Sequence, residues 1–303
     1  MLFLRAPFPR DAVPTARHLL RLLRPHQWLK NGFVFVGLLF GHVGDDPARL
    51  VLALKAFVAF CLLSSGVYVF NDWRDREQDR RHPVKRLRPL ASGQVSVPAA
   101  LATGTACLAG GLALGFAGGF AAPWLFLAYP LLNAAYSLGA KHVVVLDVFI
   151  IAAGFMLRLL AGTVGIGIPP THWLLLCGLM LTLFLGFAKR RAELEALVEE
   201  SGGHRRVLDH YSEAMLDQFI TVAATGTVVS YALYTVSADT IALHGTSWLI
   251  ATLPFVLYGL MRYLFLLHRR GGGGDPARDL MRDTHLVVAF LGWLGLVLAL
   301  IRF

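Results

Sequence analysis

Asn71, Asp72, Asp75 and Asp79 form an Asn-Asp-x-x-Asp-x-x-x-Asp series inside a short charged segment, residues 71–93, that separates two long apolar stretches. If Val69 to Arg81 continues the preceding helix, the four side chains fall within roughly 100° of arc, on one face. Carboxylates crowded on one face repel each other unless a cation sits among them. Hard oxygen donors with no accompanying Cys suit Mg²⁺, with Mn²⁺ as a substitute. Such an ion takes one or two carboxylates and completes its shell with substrate phosphate. Lys85, Arg86 and Arg88 follow at once and are placed to hold the remaining phosphate charge. The plainer alternative is a solvated loop kept on one side of a membrane by its arginines, but topology alone has no use for aspartates.

The elements that must position these groups are membrane helices. Hydrophobic residues make up 56% of the 303, which marks a polytopic membrane protein rather than a soluble domain. Hydropathy outlines nine stretches, at about 28–43, 50–70, 97–118, 120–139, 143–166, 171–188, 215–238, 246–268 and 284–303. Ahead of them, Val13 to Arg24 sets Leu19, Leu20, Leu22 and Leu23 against Arg17, Arg21 and Arg24 and stops at Pro25. This reads as an amphipathic helix lying in the membrane interface. The expected organisation is therefore an N-terminal interfacial segment, residues 1–27, and a single all-α transmembrane domain, residues 28–303. The N-terminus lacks the uninterrupted apolar core of a removable signal peptide.

Most of the 28 Lys and Arg residues fall before the first apolar stretch or in the segments after the second, fourth, sixth and eighth. Only Arg49 and Arg302 lie on the opposite side. The positive-inside rule then puts the N-terminus and the charged segments in the cytoplasm and the C-terminus outside. The net charge of +9 is thereby accounted for without nucleic acid. Cys61, Cys107 and Cys177 sit in apolar stretches without ligand spacing, which argues against disulfides and zinc. No Walker-type or Gly-x-Gly-x-x-Gly loop is present, and the run Gly271 to Gly274 reads as a flexible link.

Asp147 and Arg158 lie inside the fifth apolar stretch, where an ionised side chain costs about 2.5–3.5 kcal/mol unless it faces a polar cavity. About 16 Å of helical rise separates them, so they cannot pair and must face different depths. Asp147 has a plainer reading, capping its helix or pairing with Lys141. Lys55 is placed to snorkel at the outer end of its helix. Lys189, Arg190 and Arg191 with Glu193 end the sixth stretch, where anchoring alone would account for them.

Taken together these residues resemble the UbiA superfamily of intramembrane prenyltransferases. The resemblance narrows to its decaprenyl-phosphate phosphoribosyltransferase branch on several segments: Arg24-Pro25-His26-Gln27-Trp28-Leu29-Lys30-Asn31; His82-Pro83 through Lys85-Arg86, Arg88 and Gly93; Tyr136-Ser137 with Lys141-His142 and Asp147-Val148; Gly154-Phe155 with Arg158, Ala161 and Gly162; Lys189-Arg190 with Glu193-Leu194; and Asp275-Pro276. Prenyl-diphosphate users of the superfamily carry a second D-x-x-x-D cluster, yet Asp147 is followed by Ile151 at that spacing. A missing second acidic partner suits one metal-bound diphosphate.

The resemblance implies transfer of a 5-phosphoribosyl group from phosphoribosyl pyrophosphate to a polyprenyl phosphate, with release of pyrophosphate, in lipid-linked pentose or cell-wall precursor synthesis. It implies Mg²⁺ on Asn71, Asp72, Asp75 and Asp79, with Asp72, Asp75, Asp79, Lys85 and Arg86 catalytic. Substrate binding falls to Lys30, Asn31, Tyr68, Arg88, Tyr136, Lys141, Asp147, Arg158, Lys189 and Arg190. Membrane lipids are the further partners, a trimer the family's oligomer, and a bacterial-type inner membrane the location. Two other readings remain: a prenyl-diphosphate-dependent prenyltransferase of quinone, haem or lipid synthesis, and a transporter using Asp147 and Arg158.

Overall fold

The computed structural model describes residues 16–41, 46–199, 206–269 and 282–301, and every regular element among them is helical. Helix α1 (Ala16–Leu23) leads into a 3₁₀ segment, Pro25–Phe35, and the short α2 (Val36–Phe40). There follow α3 (Pro47–Arg74), α4 (Arg76–Arg81), α5 (Val97–Ala117), α6 (Trp124–Leu138), α7 (Leu146–Ala161), α8 (His172–Glu199), α9 (Glu213–Val236), α10 (Ala238–His244), α11 (Leu253–Arg269) and α12 (Thr284–Leu300). The helices start where the chemistry of their first turns dictates. Asp46 accepts from the N–H groups of Ala48 and Arg49 with Pro47 at the first helical position, and Ser96, Ser212 and Asp283 cap α5, α9 and α12 in the same way.

Among the described residues six helices are long and apolar enough to cross a membrane, not nine. The first expected stretch is mostly 3₁₀, which rises about 2.0 Å per residue and so reaches further than its residue count indicates. The fourth shrinks to the 15 residues of α6, opened by Pro123 and ended by Gly139, and the last is the 17-residue α12. The N-terminal amphipathic stretch is helical over Ala16–Leu23, and its Leu22 is buried with Val69, Leu90, Val95 and Ala100. That helix is thus built onto the bundle. The Gly271 to Gly274 run, Asp275-Pro276 and the C-terminal residues lie outside the described residues.

Two cores carry the bundle. One joins α7, α8, α9 and α11 through Val148, Phe184, Phe187, Ile220 and Leu267. The other joins the 3₁₀ segment, α3, α6 and α7 through Val34, Phe60, Leu63, Phe126 and Ala161. The 3₁₀ segment and α2 can lie against α7 because glycine faces glycine there. A Cβ on Gly37 would sit 1.8 Å from the Gly162 carbonyl oxygen, and one on Gly162 would sit 1.8 Å from that of Val34. That close approach is what brings Asn31 within reach of Arg158.

Candidate active site

The acidic series sits where α3 ends. The helix does not run through to Arg81: it breaks at Asp75 (φ −89°, ψ 5°), whose N–H bonds back to the Asn71 carbonyl, and α4 restarts at Arg76. Asp72 and Asp79, only about 20° apart on a helical wheel, nevertheless still converge. Both are buried, and both accept from the same atom, Arg88 Nη1, at 3.0 and 2.6 Å. Arg24 adds a second guanidinium to Asp72 Oδ1 and lies over the Tyr68 ring at 5.1 Å. To reach Asp72, Arg24 takes a left-handed backbone conformation (φ 54°), uncommon for a residue other than glycine. Arg88 is held from behind. Ser92 donates to its carbonyl at 2.8 Å, and Leu90 anchors the segment in the cluster with Leu22 and Val69.

Here the expected four-oxygen site is only partly assembled. Asp75 is half-exposed, and Asn71 Oδ1 accepts from Ser137 at 2.8 Å. Among the described residues no three acidic, His or Cys side chains gather as a metal set. The cation that the crowded carboxylates require is supplied by Arg88 and Arg24. Asp72 and Asp79 nonetheless point hard oxygen donors at one common position, which is what a metal with few protein ligands needs.

Asp147 belongs to a second network, centred on a fully buried ion pair. Arg190 Nε donates to Asp147 Oδ2 at 2.7 Å, and the Tyr211 hydroxyl donates to Oδ1 at 2.9 Å. Arg190 also reaches Glu193 and, at 3.2 Å, the Tyr136 hydroxyl. Asp147 therefore pairs with Arg190 and not with Lys141. The network ties the ends of α6, α7 and α8 together on the same side of the bundle as Asp72. Lys141 is half-exposed in the 3₁₀ turn Ala140–His142; Lys30, Lys85 and Lys189 are half-exposed, and Arg86 is exposed. Lys189 lies 3.9 Å from Glu193.

Arg158 stands deeper. Its Nε donates to Asn31 at 2.7 Å, Nη1 to the Gly154 carbonyl at 2.7 Å and Nη2 to the Tyr129 hydroxyl at 3.0 Å. The guanidinium lies 4.6 Å from the Tyr129 ring and 5.4 Å from Phe60 and Phe155. It forms no ion pair among the described residues. Lys55 donates to the Gly118 carbonyl at 3.3 Å near the opposite end of α3.

Sequence reasoning sought a second acidic group four residues after Asp147. The acids gather elsewhere: Arg191 is met by Glu213 at 2.8 Å, Asp217 at 3.3 Å and Glu195 at 3.5 Å. Their signal was legible as Asp209, Glu213 and Asp217 at intervals of four residues into α9. Tyr129 and Tyr211 were also missed, since a lone tyrosine, whether in an apolar stretch like Tyr129 or in a connection between stretches like Tyr211, carries no pattern. Arg24 was visible on the charged side of the N-terminal amphipathic stretch and in the Arg-Pro motif, but not as a partner of Asp72.

Comparison with known proteins shows the family. Residues 32–291 match the UbiA prenyltransferase family. The chain is 35% identical to the decaprenyl-phosphate phosphoribosyltransferase of Mycolicibacterium smegmatis, over 94% of this chain and 92% of that one. It is 35% identical to the protein of the same name from Corynebacterium glutamicum, over 91% of this chain and 84% of that one. A UbiA homolog from Archaeoglobus fulgidus, solved bound to GPP and Mg²⁺, superposes with a TM-score of 0.70 at 21% identity, over 94% of this chain and 99% of that one.

Proposed function

Since this chain belongs to the UbiA prenyltransferase family, a multi-pass membrane protein with an all-helical fold, we propose that it transfers the 5-phosphoribosyl group of phosphoribosyl pyrophosphate to a polyprenyl phosphate. The bond from C1 to pyrophosphate breaks, and a bond from C1 to a lipid phosphate oxygen forms. The observation that carries this reading is the near full-length likeness to two decaprenyl-phosphate phosphoribosyltransferases.

Chemistry at the Asp72 end fits it. A Mg²⁺ ion would be held by Asp72 and Asp79, with Asp75 and Asn71 beside them, and when bound would neutralise the leaving pyrophosphate. Arg88 and Arg24, which lie against these carboxylates, would be available as phosphate ligands. With Lys85, Arg86, Lys141 and Lys189 they surround the leaving group and the ribose 5-phosphate with positive charge. The lipid phosphate oxygen is already an anion and needs no general base, so catalysis rests on alignment and charge. The polyprenyl chain passes between helices into the bilayer. The basic segments on this side support a cytoplasmic site with the N-terminus inside and the C-terminus outside, in a bacterial-type inner membrane.

Arg158 argues against the prenyl-diphosphate alternative. Phe60, Tyr129 and Phe155 form an aromatic cradle of the kind a prenyl cation would need. A fixed guanidinium already occupies it, and a carbocation brought beside that charge would be repelled rather than stabilised. The same charge attracts a lipid phosphate. The deciding experiment incubates purified protein in lipid nanodiscs with radiolabelled phosphoribosyl pyrophosphate, polyprenyl phosphate and Mg²⁺, followed by lipid extraction. Label in a phosphoribosyl lipid supports the reading. A prenylated acceptor formed from a polyprenyl diphosphate, with no labelled lipid, rejects it.

A further inference from the structure

The backbone entering α7 is strained in a way that function has not yet used. Leu146 N–H bonds to the Val144 carbonyl at 2.8 Å, across a single residue, and Val145 between them has φ 68° and ψ −47°. That is the rare, non-inverse form of the γ-turn, and a β-branched side chain is poorly suited to positive φ. Such a conformation persists only where its surroundings over-determine it. Val145 packs against the core and its carbonyl accepts from Val148 and Phe149, and one hydroxyl holds its N–H. Tyr211 accepts from Val145 N–H at 2.6 Å and donates to Asp147 Oδ1 at 2.9 Å, while Arg190 holds the other oxygen of Asp147 and also reaches Tyr136. Burial pushes the Tyr211 phenol up from its ordinary value, so it stays protonated and able to donate.

The segment from Tyr136 to Asp147 is therefore fixed at both ends by one network. Between those ends lies the turn Ala140–His142, which packs against the turn Arg206–His210 just before Tyr211. Its Lys141 is half-exposed and forms no ion pair among the described residues.

We infer that Tyr211 is a positioning residue: its hydroxyl latches the strained Val144–Leu146 turn, and the latched turn presents Lys141 to a phosphate group of the donor. This rests on the phosphoribosyl-transfer reading above. Through Tyr211 the α8–α9 connection is coupled to a cationic group that no helix positions directly.

The test places a nitroxide on His142→Cys, in a Cys177→Ser background, and compares the parent with Tyr211→Phe and with Tyr211→Phe/Val145→Gly. Removing the hydroxyl should free the turn, sharpening the spectrum and raising KM for phosphoribosyl pyrophosphate about tenfold or more with a smaller change in kcat. Glycine takes φ 68° without strain, so the double variant should regain the immobile spectrum and most of the lost KM. An unchanged spectrum in Tyr211→Phe overturns the latch, and a mobile label with unchanged KM overturns the role given to Lys141. Failure of glycine to restore the spectrum overturns strain as the cause. If the parent makes no phosphoribosyl lipid, the functional reading falls, and the spectra alone decide the latch.

Discussion

Asp147 and Arg190 meet at 2.7 Å with neither side chain exposed. Removing one member of a buried pair leaves an uncompensated charge and costs about 3–5 kcal/mol, whereas replacing both with apolar groups is often near neutral. Arg190→Met should therefore lower the melting temperature sharply, and Asp147→Leu/Arg190→Met should recover much of that loss. Thermal unfolding in detergent measures both. Purely additive losses in the double variant would show that the pair is not coupled.

Three aspartates read alike in the sequence differ in their surroundings, so their substitutions should separate. Asp75 is half-exposed, and Asp75→Asn should leave stability unchanged. Asp72→Asn leaves Arg24 and Arg88 short of a counter-ion and should destabilise the protein as well as inactivate it. For Asp79→Asn, loss of one carboxylate from the proposed Mg²⁺ position should lower turnover about a hundredfold or more, the equivalent of at least about 2.7 kcal/mol of charge stabilisation. Full turnover of Asp79→Asn, or of the parent enzyme in EDTA, would remove the acidic pair as the metal site.

Much of this site was legible because charge inside an apolar sequence is conspicuous. Asp147 and Arg158 stood out by cost and Asp72 and Asp79 by their spacing, whereas Arg190 read as a membrane anchor; helical geometry held Asp147 and Arg158 apart, and each has other partners in the structure. What the pattern could not give was pairing. Asp72 and Asp79 were assigned a metal, yet the structure gives them Arg88, a cation from an irregular segment whose path depends on Leu90 finding a pocket beside Leu22. Tyr211 was hidden for a similar reason, since its role comes from the strain at Val145, and no periodicity marks a γ-turn. Hydropathy and helix part company where an apolar stretch was translated into α-helix, at a segment that Pro25 starts as 3₁₀.

Asp283 caps α12 and pairs with Arg262 of α11 at 2.8 Å. Hydrogen bonding from Arg262 holds its carboxyl at about 2, below the ordinary 3.8. A carboxylate whose pKa is depressed on folding contributes stability in full above its unfolded value and loses it as pH falls through the folded one. The parent protein should thus be more heat-stable than Asp283→Asn above about pH 4, and the difference should shrink as pH drops toward 2. Melting curves of both proteins across that range test the sign; a gap that widens in acid would contradict it.

Arg158 decides between donors. Its guanidinium spends three donors on Asn31, the Gly154 carbonyl and Tyr129, and no carboxylate faces it among the described residues. A charge kept at that depth without an acidic partner is costly, which points to an anion that arrives with substrate. Arg158→Gln keeps hydrogen-bonding capacity and removes the charge. It should lower kcat/KM by about ten- to a hundredfold, the range expected for loss of one charge-assisted contact of about 1.5–3 kcal/mol. The loss should appear in KM for polyprenyl phosphate rather than for phosphoribosyl pyrophosphate, because Asp72 and Asp79 lie at the end of α3 while Asn31 and Phe60 lie near its middle. Arg158→Lys keeps charge but not the three-way geometry and should fall between. Steady-state kinetics with each substrate varied in turn makes the measurement. An Arg158→Gln enzyme with unaltered kinetics toward both would make Arg158 a packing residue and reopen the prenyl-donor reading.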